Sequence, residues 1–153
     1  MSDGPYLFDV GVTALAHSEA PVREAALSYV RRAVTGDIDA VVPYTSVFGA
    51  HNALTAYYGF SNERASRVLQ NFLRSRRIHW VEGPTERAVS AGLDRASELN
   101  VDGWDGYYAE VAVDHGVETL LTLDDDFERL SGVTAEVILS PEQFAELNDY
   151  LGY

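Results

Sequence analysis

The sequence contains no cysteine and no lysine. The absence of cysteine excludes disulfides, thiolate zinc sites and a cysteine nucleophile. No segment reaches the roughly 18 apolar residues of a membrane span, and the opening Met-Ser-Asp-Gly-Pro-Tyr lacks the basic and apolar regions of a secretion signal. We therefore expect a cytoplasmic protein that makes no use of a membrane. Its 153 residues suit a single domain over 1–153 with a sizeable core.

Positively charged residues are scarce in this sequence. All eleven basic residues are arginine, they face 24 acidic residues, and the net charge is -13. An acid-rich, lysine-free composition is typical of the salt-filled cytoplasm of a halophilic archaeon, although a mesophilic protein with a skewed surface would look the same. So acidic a surface argues against contact with phosphates. Molar salt weakens that objection, because the Debye length falls to about 3 Å at 1 M.

Strand and helix patterns alternate along the chain. The strongest helical pattern covers 62–75, where apolar residues recur at i, i+3, i+4, i+7 and i+8. Short apolar strands are predicted at 5–10, Asp39–Val42, Ile78–Val81, Thr119–Leu123 and Glu136–Leu139. The alternation predicts an α/β fold whose parallel sheet is covered on both faces. No glycine-rich phosphate loop follows the first strand, which argues against a nucleotide-binding domain and a small-molecule phosphohydrolase.

Aspartates mark the ends of two predicted strands. Asp9 closes the run Tyr6-Leu7-Phe8, and Asp124 closes Thr119–Leu123. A third, Asp105, opens a predicted helix over 105–115. Ligands of open α/β sheets bind outside the carboxyl ends of the strands, and carboxylates gathered there need a cation between them. Oxygen ligands suit Mg²⁺ or Mn²⁺. The alternatives are a helix cap for Asp105 and a turn for Asp124.

Three stretches carry a resemblance to a known family. They are Leu7-Phe8-Asp9, then Trp104-Asp105-Gly106-Tyr107-Tyr108-Ala109-Glu110-Val111-Ala112, then Leu121-Thr122-Leu123-Asp124-Asp125-Asp126-Phe127. In order and spacing the chain resembles the PIN-domain nucleases, and among them the VapC-like toxins of toxin–antitoxin pairs. The second and third stretches are the specific part, with Asp105 and Asp124 separated by 19 positions.

The resemblance implies a PIN-like three-layer α/β/α sandwich with a central parallel sheet of four to five strands. It also implies a metal-dependent endoribonuclease, in which Asp9, Asp105 and Asp124 are the catalytic ligands of Mg²⁺ or Mn²⁺. Asp126 is a further candidate ligand, since it shares a face with Asp124 if the backbone stays extended. The implied partners are an RNA substrate, a second copy of the chain, and an antitoxin that covers the acidic cleft.

The sequence departs from the family pattern in the helix after the second strand. The family normally has a glutamate there, near position 49, whereas residues 43–54 contain no acid. His51 and Asn52 are the only nearby residues that could bind a metal or position a water, and His51 is the candidate substitute. The departure leaves open a catalytically inactive PIN-like module that binds RNA or protein.

One dense basic cluster is present, formed by Arg74, Arg76 and Arg77. It could contact RNA phosphates, or it could be a solvated helix end, where cations suit the helix dipole. Two tyrosine pairs, Tyr57-Tyr58 and Tyr107-Tyr108, could stack on bases. We expect both pairs to serve in core or dimer packing instead.

Overall fold

A computed structural model describes residues 4–123 and 132–153. Within these ranges the chain forms five strands and seven helices. In chain order they are β1 (Tyr6–Phe8), α1 (Val10–His17), α2 (Glu24–Thr35), β2 (Ala40–Pro43), α3 (Ser46–Ala56), α4 (Asn62–Leu73), β3 (His79–Val81), α5 (Glu86–Leu99), α6 (Gly103–Asp114), β4 (Thr119–Thr122), β5 (Thr134–Val137) and α7 (Pro141–Leu151).

The five strands form one sheet in the order β3-β2-β1-β4-β5, and every neighbouring pair is parallel. The chain builds outward from β1 to β3, then crosses back and continues from β4 to β5. The winding direction therefore changes between β1 and β4, where Phe8 pairs with Leu121. A crevice outside the carboxyl ends of the strands at such a point is where doubly wound sheets bind ligands.

Side chains that alternate along the strands enter two different cores, as the two-residue period of a strand requires. Phe8 and Leu121 pack into one core with α1, α2, α4 and α7. Leu7 and Leu120 pack into the other with α6. Helices thus cover both faces of the sheet, and the predicted three-layer α/β/α sandwich with a parallel sheet is confirmed. No helix among residues 4–123 and 132–153 is long and apolar enough to cross a membrane.

Three predicted boundaries were wrong. The first strand ends at Phe8, because the Asp9 side chain caps α1 by accepting from the Val12 N–H at 2.8 Å. Helix α1 escaped prediction since five of its eight residues are buried, so it has no polar face to reveal a helical period. Helix α6 begins at Gly103, two residues earlier than predicted, and is capped by Asp102. The last strand is Thr134–Val137, two residues earlier than predicted.

Candidate acidic site at the sheet edge

Asp9 lies at the carboxyl end of the central strand. Its backbone N–H donates to the Leu121 carbonyl at 3.2 Å, which ties it to the end of β4. Its side chain is only 9 % exposed, and Oδ1 accepts the Val12 N–H as the cap of α1. The carboxylate is thus held by the start of a helix, where the dipole favours negative charge.

Asp105 lies in the first turn of α6 and is half-buried. It does not cap that helix, because its own N–H donates to Asp102 Oδ1 at 2.8 Å. Its carboxylate lies in the first turn, where the N-terminal end of the helix dipole favours negative charge. The alternative that Asp105 serves as the helix cap is wrong.

Tyr108 lies within electrostatic range of both Asp9 and Asp105. It is one turn beyond Asp105 in α6 and only 2 % exposed. Burial, followed by the negative charge of Asp9, raises the pKa of its hydroxyl. Asp105 raises this pKa further, whereas the Ser46 side chain lowers it. Both carboxylates are therefore within electrostatic reach of one buried hydroxyl that stays protonated across the physiological range.

Ser46 lies just after β2 and is a further residue of the candidate site. It is fully buried in the first turn of α3, and its Oγ donates to the Pro43 carbonyl at the end of β2 at 2.7 Å. The sequence reasoning missed both Ser46 and Tyr108. The position of Ser46, three residues after a strand that ends beside β1, is the signal that could have found it.

The end of β4 approaches Asp9 at Gly11. A Cβ on Gly11 would lie 3.2 Å from Leu123 Cδ1 and 3.4 Å from Asp9 Oδ1, so the absence of a side chain lets Leu123 pack closely against Gly11. Asp124 follows Leu123 directly in the sequence. Asp124 and Asp126 lie outside the described residues, and their predicted role as ligands stays a prediction.

The donors that are present suit a hard cation. Mg²⁺ in proteins is commonly held by one or two carboxylates, with water and substrate phosphate completing its shell. Asp9 and Asp105 supply such a pair of oxygen donors. Over residues 4–123 and 132–153, no group of three or more His, Asp or Glu side chains is arranged to hold a metal.

In α3, where the family pattern has a glutamate, Gly49 and His51 each make a contact with a neighbouring helix. A Cβ on Gly49 would lie 2.7 Å from Val10 Cγ2, so a glutamate there would require the Val10 side chain to move. His51 Nε2 lies 3.2 Å from Ser66 Oγ of α4, a contact that gives the ring a structural role. Its predicted role as a substitute for the glutamate stays a prediction.

The arginine cluster lies away from the aspartates. Arg74, Arg76 and Arg77 come just before β3, at the edge of the parallel sheet opposite the carboxyl ends. A Cβ on Gly36, the C-cap of α2, would lie 2.6 Å from Arg77 Nη1, so Arg77 covers the end of that helix. Arg74 borders a groove of about 800 Å³ between α2 and α4. Their predicted contact with RNA stays a prediction that the acidic site does not require.

The comparisons with known proteins concern the fold. No protein-family model and no curated protein sequence matches the chain. Its structure is similar to that of VapBC2 from Rickettsia felis, a complex that was solved bound to a DNA fragment from the promoter of its own genes. The two have 14 % sequence identity and a TM-score of 0.64, and the match covers 86 % of this chain and 96 % of that one. PAE2754 from Pyrobaculum aerophilum gives 21 % identity, a TM-score of 0.59, and coverage of 87 % and 90 %. FitAcB from Neisseria gonorrhoeae has 16 % sequence identity and a TM-score of 0.57. The match covers 85 % of this chain and 95 % of that one. At these identities the likeness is one of fold, and the chain has the PIN-like α/β/α architecture predicted from its sequence.

Proposed function

We propose that this protein is a metal-dependent endoribonuclease, the toxin of a VapBC-type toxin–antitoxin pair. The observation that carries the proposal is that Asp9 and Asp105 both act on the Tyr108 hydroxyl, at the carboxyl ends of the strands where the sheet changes winding direction. The two aspartates come from separate elements, and each lies at a helix N-terminus. This arrangement supports a cation site open to a phosphodiester.

Asp9 and Asp105 would hold Mg²⁺ or Mn²⁺, with Asp124 and Asp126 added from the sequence alone. When bound, such an ion lowers the pKa of a water and offsets charge on the phosphate during in-line attack. Asp9 is oriented for this role, because the Val12 N–H fixes one of its carboxylate oxygens. The raised pKa of Tyr108 makes it a neutral hydrogen-bond donor beside the carboxylates, not a general base.

The test is cleavage of a labelled pool of single-stranded RNA in molar KCl with Mn²⁺. Asp105→Asn should lower the rate by at least about 100-fold, the loss typical of a group that stabilises transition-state charge. Asp102→Asn is the matched control. It changes an acid three residues away in the same helix turn, and asparagine caps a helix as well as aspartate does. Equal loss in both variants would point to general electrostatics and count against a ligand role for Asp105.

A second candidate is a catalytically inactive module that binds RNA. The observation that favours it is the close contact of Gly49 with Val10, since a glutamate at that position of α3 would require the Val10 side chain to move. Folded wild-type protein that binds the RNA pool but cleaves nothing in Mn²⁺ or Mg²⁺ would support this candidate. If cleavage is found, His51→Ala would then show whether this ring replaces the glutamate.

We propose two protein partners, a second copy of the chain and an antitoxin, in the cytoplasm of a halophilic archaeon. The groove between α2 and α4 has an apolar floor and carries Arg31, Arg67 and Arg74 on its lining. That lining suits an acidic amphipathic helix of the antitoxin. Co-expression with the product of a small upstream reading frame should give a complex that Arg74→Glu weakens. Light scattering in molar KCl would reveal the homodimer.

A further inference from the structure

A small apolar groove opens beside the acidic site. It has a volume of about 360 Å³ and runs between α5 and the start of α6, with no charged residue among the seven that line it. Val89, Leu93 and Trp104 contribute large side chains that are 40 %, 57 % and 48 % exposed. Clusters of exposed apolar side chains of this kind mark binding sites more often than isolated ones do.

Trp104 forms a rigid wall of this groove. Its ring stacks on Tyr108 with centroids 5.8 Å apart and an interplanar angle of 26°. Tyr107 packs against it edge-on at 6.2 Å. Both tyrosines are buried, which excludes the stacking role on RNA that the sequence left open for them and makes them the support of Trp104 instead.

Two residues that line the groove are sequence neighbours of residues of the acidic site. Trp104 directly precedes Asp105 in the first turn of α6, and the tyrosine it stacks on is the one that both site aspartates influence. On the other side, Thr45 lines the groove and is followed in sequence by Ser46 of the site. Thr45 Oγ1 is shielded from solvent and has no hydrogen-bond partner in the part of the chain that the structure describes. A ligand in the groove could supply that partner after a rotation of the threonine side chain.

We propose that this groove holds one unpaired nucleobase of a single-stranded RNA, stacked on Trp104, beside the phosphodiester at Asp9 and Asp105. The inference rests on the proposed ribonuclease function and deepens it. A base is planar, largely apolar on its faces and uncharged. It is therefore the part of a nucleotide that an uncharged groove accepts and that a chain of net charge -13 does not repel. Exposed indole rings bind bases of any sequence in this way.

The size of the groove favours a base over a second copy of the chain. Seven residues line the groove, whereas a stable protein interface engages about 20–30 residues on each side. A second copy would have to cover a much wider surface. A base needs only one stacking platform, which Trp104 supplies.

The test uses Trp104 as its own probe. Trp80, the other tryptophan, is half-buried and is replaced in a Trp80→Phe background, so that the remaining emission comes from Trp104. Stopped-flow mixing with a short single-stranded RNA and Mn²⁺ in molar KCl should quench that emission before any cleavage. An oligonucleotide of the same length with abasic positions throughout should not. Trp104→Leu, made in the wild-type background, should raise the KM for RNA by about fivefold to about 150-fold, the range of one stacked base, with a smaller change in kcat.

Two further variants keep the result interpretable. Trp104→Phe retains an aromatic face and should recover most of the KM, which loss of folding would not allow. Phe48→Leu changes an aromatic side chain that is 80 % exposed and does not line the groove, and it should leave KM unchanged.

The possible outcomes separate this inference from the proposed function. RNA cleavage with unquenched Trp104 emission, or with an unaltered KM in Trp104→Leu, overturns the groove assignment and leaves the nuclease intact. Quenching by RNA without cleavage supports the groove and removes the nuclease. A change in emission that follows protein concentration, and not RNA, assigns the groove to a second copy and overturns the inference.

Discussion

Gly106 of α6 packs directly against the backbone of Gly92 in α5. A Cβ on Gly106 would overlap the Gly92 carbonyl oxygen, and a Cβ on Gly92 would lie 2.8 Å from the Tyr107 Cα. The two helices therefore meet backbone to backbone one residue after Asp105. This contact sets the position of the first turn of α6, and with it the site carboxylate and the Trp104 wall of the groove.

Gly106→Ala should destabilise the fold and disturb the site together. Because backbone atoms cannot move aside as a flexible side chain can, the added methyl should cost at least about 1–3 kcal/mol in the free energy of unfolding. Gly103→Ala is the control, since its Cβ would meet only the Leu93 side chain at an ordinary 3.6 Å. Chemical unfolding of both variants measures the difference. Equal stability would mean that α5 and α6 separate at little cost.

Substitutions at Asp9 should separate its structural role from its ligand role. Asparagine keeps the side-chain oxygen that accepts the Val12 N–H, so Asp9→Asn should fold with nearly wild-type stability and lose Mn²⁺ binding. Asp9→Ala should lose both, with about 1 kcal/mol of stability removed along with the cap. Calorimetric titration with Mn²⁺ and thermal melting check the two effects. Undiminished Mn²⁺ binding by Asp9→Asn would remove Asp9 from the ligand set.

Glu110 holds a second link between α5 and α6. It is buried, and its carboxylate contacts Arg95 Nε at 2.9 Å and Arg87 Nη1 at 3.3 Å. Glu110→Gln would leave Arg95, whose side chain is 23 % exposed, without its countercharge. We expect a loss of about 1–3 kcal/mol, less than for a fully buried pair because Arg87 reaches solvent.

The control for Glu110 is Glu63→Gln, which breaks an exposed pair with Arg67 one helix turn away. That pair should contribute no more than about 0.5 kcal/mol. Urea unfolding compares the two variants. A loss at Glu110 as small as the loss at Glu63 would show that the buried carboxylate is not held mainly by its arginines.

Local sequence patterns were sufficient to predict most of the fold. Apolar runs predicted the five strands to within two residues at each end. The same reasoning failed for α1. A helix buried on nearly every side is as uniformly apolar as a buried strand, so its period is invisible, and Asp9 gave no sign that it caps a helix as well as ending a strand.

The sequence indicated only some of the residues of the candidate site. Asp9 became a candidate because an acid is unexpected at the end of an apolar run, and Asp105 because the stretch around it resembles a family motif. Their role as metal ligands stays a prediction. Ser46 and Tyr108 were missed because a hydroxyl is unremarkable in sequence and gains its role only when β2, α3 and α6 converge. Tyr107 and Tyr108 are buried, as expected for core packing, whereas the exposure of Trp104 was not predicted because it depends on how α6 packs against α5.

His17 should make stability depend on pH. Its ring packs on Phe72 with centroids 4.8 Å apart, and Nδ1 lies 2.8 Å from the Thr13 carbonyl. Burial lowers the pKa of His17 below its ordinary 6.5, and the bond to Thr13 offsets only part of this. As the pH falls through 6.5, the unfolded chain takes up a proton that the folded chain does not, so stability is full above this pH and declines below it. One such group contributes a slope of at most about 1.4 kcal/mol per pH unit.

His17→Gln isolates this contribution, because the amide can still donate to the Thr13 carbonyl but does not titrate. The free energy of unfolding should be measured for both proteins from roughly pH 7.5 to pH 5.5, across the window in which an unfolded histidine gains its proton. His51, His79 and His115 are present in both, so their contributions cancel in the difference. Wild type should lose more stability than the variant as the pH falls. Parallel curves would mean that the folded state accommodates the imidazolium, and that more water reaches the His17 ring than its packing against Phe72 implies.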